Sequence, residues 1–233
     1  ALSVSIKEDI ERIDVAVQEL YEFVDQLIRE RKAEPGQDVV SRLVQFSEAG
    51  DKLTDAELRN ALVLMLFGGM DTTRNQLGLI LQTYMRNPDQ WELLAERPEE
   101  FAKPALEEAL RANPTTRWVT REANEDFEYQ GLQIEKGTTV HLFTMSSGTD
   151  PEAYPDPEIN IEAEGRKPHH TFGGGMHHCL GHYIARADMS VALPMLAESF
   201  TDISCPGGDT WLPDSGNHGP IRLPITVAVR ERA

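Results

Sequence analysis

Apolar positions recur at helical spacing through the first third of the chain. Residues 5–33 carry Ile6, Ile10, Ile13, Val17, Leu20, Val24 and Leu27 on one face and charges on the other. This pattern predicts an amphipathic helix, stopped by Pro35-Gly36. Asp38–Ser47 reads as a second, short helix, and "SEAGDKL" as a turn. Thr54-Asp55-Ala56-Glu57 has the form of a capping box, a hydroxyl followed three residues later by a carboxylate. It opens a long helix expected to run to about Arg86, before Asn87-Pro88. In "ALVLMLFGGM" this helix is apolar nearly all round and is expected to be buried. Two adjacent glycines in mid-helix cost roughly 1 kcal/mol each against alanine, so something is expected to lie against the backbone there.

The pattern then shortens. Helices are predicted at about 89–96, 99–102 and 104–112, the last with Pro104 in its first turn and Asn113-Pro114 at its end. Residues 115–145 alternate and contain turns, and "FEYQGLQIEKGTTVHLF", residues 127–143, reads as two or three short strands. Residues 150–168 are rich in proline and acid and read as a meandering loop. A further helix is predicted from about Cys179 to Phe200, with Pro194 a possible kink, and the tail holds a turn and one or two strands. The balance is mainly α with small β-sheets.

Composition narrows the function classes. The chain has 233 residues, 40% of them hydrophobic and 26% charged, as in an ordinary globular protein. Its net charge of −17 argues against nucleic acid as a partner, because phosphate binding needs a basic face. The longest apolar stretch, Ala61–Met70, is too short to span a bilayer, so no membrane partner is expected. The start lacks the basic and apolar run of a signal peptide. Two cysteines, Cys179 and Cys205, fit a reducing cytosol better than a secreted scaffold, although a disulfide between them stays open. The helical pattern is under way by about residue 7 of a chain beginning with Ala, which suggests a piece of something longer.

The candidate chemistry concentrates in "HHTFGGGMHHCLG", residues 169–181. Three readings stand. The first is a glycine-rich turn ahead of an inert buried cysteine. The second is zinc, with His177, His178, Cys179 and His182 as ligand types, although a second ligand pair is not obvious. The third is a haem thiolate. A cysteine in the first turn of a helix meets the positive end of the helix dipole, which favours the thiolate, and a glycine-lined backbone can lie flat under a porphyrin. Phe172 could pack beside the sulfur, and His177 could donate to a carboxylate at the ring edge.

These residues resemble the cysteine signature of the cytochrome P450 family: Phe172, Gly173, Gly175, His177, Cys179 and Gly181. Two further motifs stand in the family's order. "LEEALR" supplies Glu-x-x-Arg as Glu108 and Arg111, and "FGGMDTT" resembles the oxygen-binding helix motif as Gly68, Gly69, Asp71, Thr72 and Thr73. The resemblance covers essentially the whole chain and is to the soluble bacterial type. It implies the C-terminal portion of a cytochrome P450 fold, residues 1–233 being the haem-binding part of a single domain.

The resemblance also implies roles. Cys179 is the axial ligand of the iron in haem b (iron protoporphyrin IX), and the thiolate favours O–O cleavage. His177 and Arg121 meet the two propionates, with Arg117 the nearby competitor for the second. Gly68 and Gly69 leave room for O₂, Thr72 hydrogen-bonds it, and Asp71 relays protons. Glu108 and Arg111 form a buried structural pair. Leu64, Phe67, Arg117 and Val119 line a pocket for a small apolar organic substrate. Separately from the resemblance, local charge groups Arg166, Lys167, His169, His170 and Arg186 around the cysteine loop, which reads either as a basic patch suited to an acidic, ferredoxin-type electron donor or as a solvated loop of mixed charge. The implied activity is a cytoplasmic haem-thiolate monooxygenase; the alternative is a non-catalytic haem- or metal-binding fragment without the distal lid.

Two departures from the family pattern stand out. The meander normally carries an arginine that joins the Glu-x-x-Arg pair, and Ala163 lies about where it is expected. Either Arg166 substitutes or the triad is incomplete. The family fold also has a substantial region ahead of the part seen here, so a longer protein or another chain is expected to complete it.

Overall fold

The computed structural model describes residues 6–48, 53–213 and 215–231. They fall into two compact units, one up to Asp71 and one from Thr72 onward.

In the first unit α1 spans Ile6–Ala33, α2 spans Val39–Glu48, and α3, Asp55–Met85, begins. Each helix starts where its local signals place it. Asp38 precedes α2 and accepts the Ser41 N–H at 2.7 Å, capping the helix. That bond, with the Arg31 guanidinium 2.6 Å away, holds the Asp38 carboxyl down at about 2. The capping box forms in full: the Thr54 N–H donates to Glu57 at 2.8 Å, and the Glu57 N–H donates to the Thr54 hydroxyl at 3.2 Å. The core is small, with Val24, Val44, Leu58 and Leu62 buried and Leu20, Ile28, Leu43 and Leu66 packed around them. The early part of the α1 stripe stays open, since Ile10 and Val17 are exposed.

The "ALVLMLFGGM" segment corrects the sequence expectation. Leu64 is 69% exposed and Met70 72% exposed, and Phe67 is exposed as well. Only the α3 face carrying Leu58 and Leu62 meets the α1–α2 core, so the remaining apolar positions have nothing among the described residues to bury them.

The second unit holds the rest of α3, followed by α4 (Pro88–Glu96) and α5 (Pro98–Ala112). The two helices predicted at 99–102 and 104–112 are one, with Pro104 inside it. The proline removes one N–H at a point where Glu100, whose carbonyl would receive it, is exposed. Phe101, Ala105, Leu106, Ala109 and Leu110 are buried on both sides of the proline and outweigh that loss. A final helix, α7, spans His182–Ser199 and continues through Pro194. Ile80, Tyr84, Trp91, Leu94, Leu106, Ile161, Met189 and Leu193 build one core from α3, α4, α5 and α7. Its polar groups are paired: the Tyr84 hydroxyl donates to the Ala105 carbonyl at 2.7 Å, and the Trp91 indole to the Phe200 carbonyl at 3.0 Å.

Among the described residues, four two-stranded antiparallel sheets accompany this core. β1 (Trp118–Glu122) pairs with β4 (Thr139–Phe143), and β2 (Phe127–Tyr129) with β3 (Leu132–Ile134). β5 (Phe200–Ser204) pairs with β8 (Thr226–Val229), and β6 (Thr210–Trp211) with β7 (Pro220–Arg222). The stretch 127–143 holds three strands, within the two or three expected, and β1 precedes it. A short helix, α6 (Thr144–Gly148), follows β4. Its Gly148 touches the Arg111 backbone so closely that a Cβ would overlap the Arg111 carbonyl. Residues 150–168 form a loop without regular structure, as expected.

Candidate functional site

The cysteine loop is built by hydrogen bonds within it. Gly173 and Gly175 adopt φ of 71° and 60°, left-handed values that strain other residues. They turn the chain so that the Cys179 N–H donates to the Phe172 carbonyl at 2.9 Å and the His178 N–H to the Gly175 carbonyl at 3.1 Å. A single 3₁₀ turn, Gly175–His177, lies between. One expectation is corrected: α7 begins at His182, so Cys179 sits three residues ahead of the helix rather than in its first turn. The Gly181 carbonyl accepts the first bond of that helix, from Ala185, leaving Cys179 in the turn before it.

The loop fits a flat group held by one axial ligand. Cys179 is a free thiol and exposed. A side chain added at Gly174, Gly175 or Gly181 would meet nothing within 4 Å, so the loop presents bare backbone. Met176 and Leu180, the apolar residues on either side, are 94% and 80% exposed. A sulfur donor on an open, apolar, side-chain-free surface suits a porphyrin far better than a hydrated ion. No three His, Cys, Asp or Glu side chains gather as metal ligands among the described residues, which removes the donor set the zinc reading needs. Cys205 is also free, so no disulfide joins the two cysteines.

The other candidates lie on the loop, on β1 and on α3. His177 is exposed and makes no side-chain hydrogen bond among the described residues. Arg121 is exposed on β1, bonded only to the Thr120 carbonyl at 2.9 Å. Each therefore has donors open to an anionic group. Gly68, Gly69, Asp71 and Thr72 lie on successive positions of an unbroken helix. A Cβ at either glycine would meet nothing within 4 Å, and Asp71 and Thr72 are half-buried.

Glu108 and Arg111 form the buried pair the sequence pointed to. They meet through two bonds of 2.9 Å, at side-chain exposures of 7% and 2%. Arg111 also donates to the Gly148 carbonyl at 2.7 Å and the Pro157 carbonyl at 2.9 Å, tying α5 to the meander. Arg166 fills the missing third place. Its Nε lies 2.9 Å from Glu108, close enough for an ion pair although not aligned for a hydrogen bond, and its Nη2 donates to the Glu158 carbonyl at 3.0 Å. The Asn160 N–H adds a further donor to Glu108 at 3.2 Å. Burial, and then the Glu108 charge, push the nearby Tyr84 phenol up. One carboxylate thus anchors two arginines and a loop amide, the multiple satisfaction a buried charge requires.

The neighbouring carboxylate went unremarked in the sequence. Glu107 accepts from Arg186 Nε at 2.6 Å and Nη2 at 3.1 Å, and His169 Nε2 lies 2.9 Å from it. The Thr171 N–H reaches His169 Nδ1 at 3.3 Å, so the network assigns the ring proton to Nε2, donated to Glu107. Burial alone would raise the Glu107 carboxyl, but the bonds from His169 and Arg186 outweigh it and hold it at about 2. Arg186 also lies 4.3 Å over the Phe172 ring and 3.1 Å from His182 Nδ1. Burial, with the His178 and Arg186 charges, lowers the His182 imidazole.

This network corrects the expected basic patch. Arg166, His169 and Arg186 are engaged with Glu108 or Glu107, and of the five residues only Lys167 and His170 are left as outward candidates. Sequence reasoning also missed a polar clasp between α3 and the segments after α5 and ahead of β7. Gln76 donates to the Asn113 carbonyl at 3.0 Å and accepts the Thr115 N–H at 2.8 Å, while the Thr115 hydroxyl donates to the His218 carbonyl at 2.7 Å. Its members lie far apart in sequence, and no local pattern marks them.

Comparison with known proteins places the chain in a family. A family model described as Cytochrome P450 matches residues 2–226. Luteothin monooxygenase of Streptomyces thioluteus is 35% identical over 227 residues, which is 96% of this chain and 55% of the relative. Nocardicin C N-oxygenase of Nocardia uniformis subsp. tsuyamanensis is 34% identical over 221 residues, 93% of this chain and 55% of the relative. Among solved structures, the cytochrome P450 PksS of the Bacillus subtilis 168 bacillaene polyketide synthase matches with a TM-score of 0.89 at 30% identity, covering 97% of this chain and 59% of that one. The chain spans about half the length of the curated relatives it matches. With the family match extending over nearly every residue, and the cysteine loop and Glu108–Arg111 pair in place, the chain belongs to the cytochrome P450 family.

Proposed function

We propose that this chain is the C-terminal, haem-binding part of a haem-thiolate monooxygenase that inserts one oxygen atom of O₂ into a small apolar organic substrate. The observation that carries the reading is the exposed Cys179 thiol on a bare-backbone loop, pinned by its own N–H to the Phe172 carbonyl. Haem b bound through a cysteine thiolate supplies the electron-rich iron that such oxygen insertion needs.

The chain's own residues then divide the work. Cys179 provides the thiolate. Phe172, Gly173, Gly175 and Gly181 shape the surface beneath the porphyrin, and His177 and Arg121 bind its two propionates. Gly68 and Gly69 keep space on the distal side, Thr72 offers a hydroxyl there, and Asp71 holds a proton at its carboxyl for delivery. Glu108, Arg111 and Arg166 keep the meander against α5. The exposed Leu64 and Phe67 support an apolar substrate. Electrons come from a ferredoxin-type donor and the setting is the cytoplasm; no helix among the described residues is long and apolar enough to cross a membrane.

A spectrum tests the reading. Reduced, haem-loaded protein exposed to carbon monoxide is expected to show the far-red-shifted Soret band of thiolate ligation, and Cys179→Ser to abolish it. A band unchanged by the substitution would refute the assignment.

A further inference from the structure

The cysteine loop is braced from outside by one carboxylate that the proposed chemistry does not use. Glu107 stands on α5, and its partners lie on both sides of the loop in sequence: His169 ahead of it and Arg186 after it, in α7. Arg186 connects this carboxylate to the loop. Its guanidinium is gripped by Glu107 at 2.6 and 3.1 Å and lies 4.3 Å over the Phe172 ring. Phe172 is the residue whose carbonyl receives the Cys179 N–H. The Thr171 hydroxyl, donating to the Leu110 carbonyl at 2.7 Å, ties the same segment back to α5.

We propose that Glu107 is a positioning residue for the cysteine ligand: it seats Arg186 on Phe172 and neutralises its charge, so that the loop carries no uncompensated cation beside the thiolate. The proposal rests on Cys179 being the haem ligand. The geometry separates two duties. Two hydrogen bonds and the stack on Phe172 fix the loop, while the charge of Glu107 balances that of Arg186. His169 adds a third hydrogen bond to the same carboxylate. Guanidinium stacking on an aromatic face and a bidentate carboxylate grip are arrangements lysine could not reproduce.

Charge balance gives a signed prediction. Reduction of the haem centre adds negative charge, so an uncompensated cation nearby favours the reduced form and an uncompensated anion disfavours it. In the haem-loaded protein, Glu107→Gln keeps hydrogen-bonding capacity and frees the Arg186 charge, so the midpoint potential is expected to rise. Arg186→Gln leaves the Glu107 charge without its guanidinium partner, and the potential is expected to fall. The double variant is expected to return close to the parent value. The carbon monoxide spectrum of the unsubstituted protein, read first, tests thiolate ligation itself; the potential differences test the balancing role. Shifts of the same sign in both single variants, or no shift in either, would overturn the proposal. So would a double variant whose potential stays shifted from the parent value by as much as either single variant.

Discussion

Glu108 and Cys179 are two functional groups of the same unit treated in opposite ways by the chain. Glu108 is 6% exposed and meets Arg111, Arg166 and the Asn160 N–H. Cys179 is exposed, with only its backbone engaged. Around Glu108 the protein completes the environment itself, because a buried charge without partners is costly. Around Cys179 it supplies a shaped backbone and stops, leaving apolar neighbours such as Met176 and Leu180 in the open. The difference separates a residue that holds the fold from one whose side chain the fold leaves open, as the proposed haem ligation requires.

The contrast can be tested by breaking each side, starting with the largest effect on stability. Glu108→Ala leaves two arginines buried without their anion and should lower stability by about 3–5 kcal/mol, read as a large drop in the urea midpoint. Arg166→Ala keeps the Glu108–Arg111 bonds and loses only the outer partner. The expected loss is about 1.5–3 kcal/mol, and an equal loss in the two variants would show that Arg166 is as central as Arg111. Glu107 comes next, in acid. It titrates at about 2 in the fold against an ordinary 4.5, so its stabilisation is fully present above that ordinary value and disappears as pH falls toward 2. Glu107→Gln should therefore lose less stability than the parent on acidification through this window, followed by thermal unfolding at stepped pH. Cys179→Ser should change the stability of the haem-free chain least, within about 0.5 kcal/mol, because the thiol is exposed. A larger loss would mean that the thiol supports the fold.

The two adjacent carboxylates also show how far sequence reading reaches. Glu108 was legible because Arg111 stands one helical turn away and the pair has a family pattern. Glu107 was not, because its partners lie 62 and 79 residues further along. Arg166 was one of two open alternatives, and only the path of the meander brings it back to Glu108. The basic patch failed for the same reason: a run of cations in sequence says nothing about which of them turn inward to meet acids.

What the sequence determined by itself was local. The capping box at Thr54, the stop at Pro35-Gly36 and the glycine turn ahead of Cys179 depend on backbone geometry within a few residues. So do the helical periods of α1, α4 and α7, and all of these could be read directly. The tertiary structure decided what depends on distant partners. It runs α5 through Pro104 because buried residues on both sides outweigh one lost hydrogen bond. It leaves Leu64 and Met70 uncovered although their pattern reads as core. It gives Glu107 and Glu108 different neighbours, because successive helix positions point in directions about 100° apart and so meet different parts of the chain.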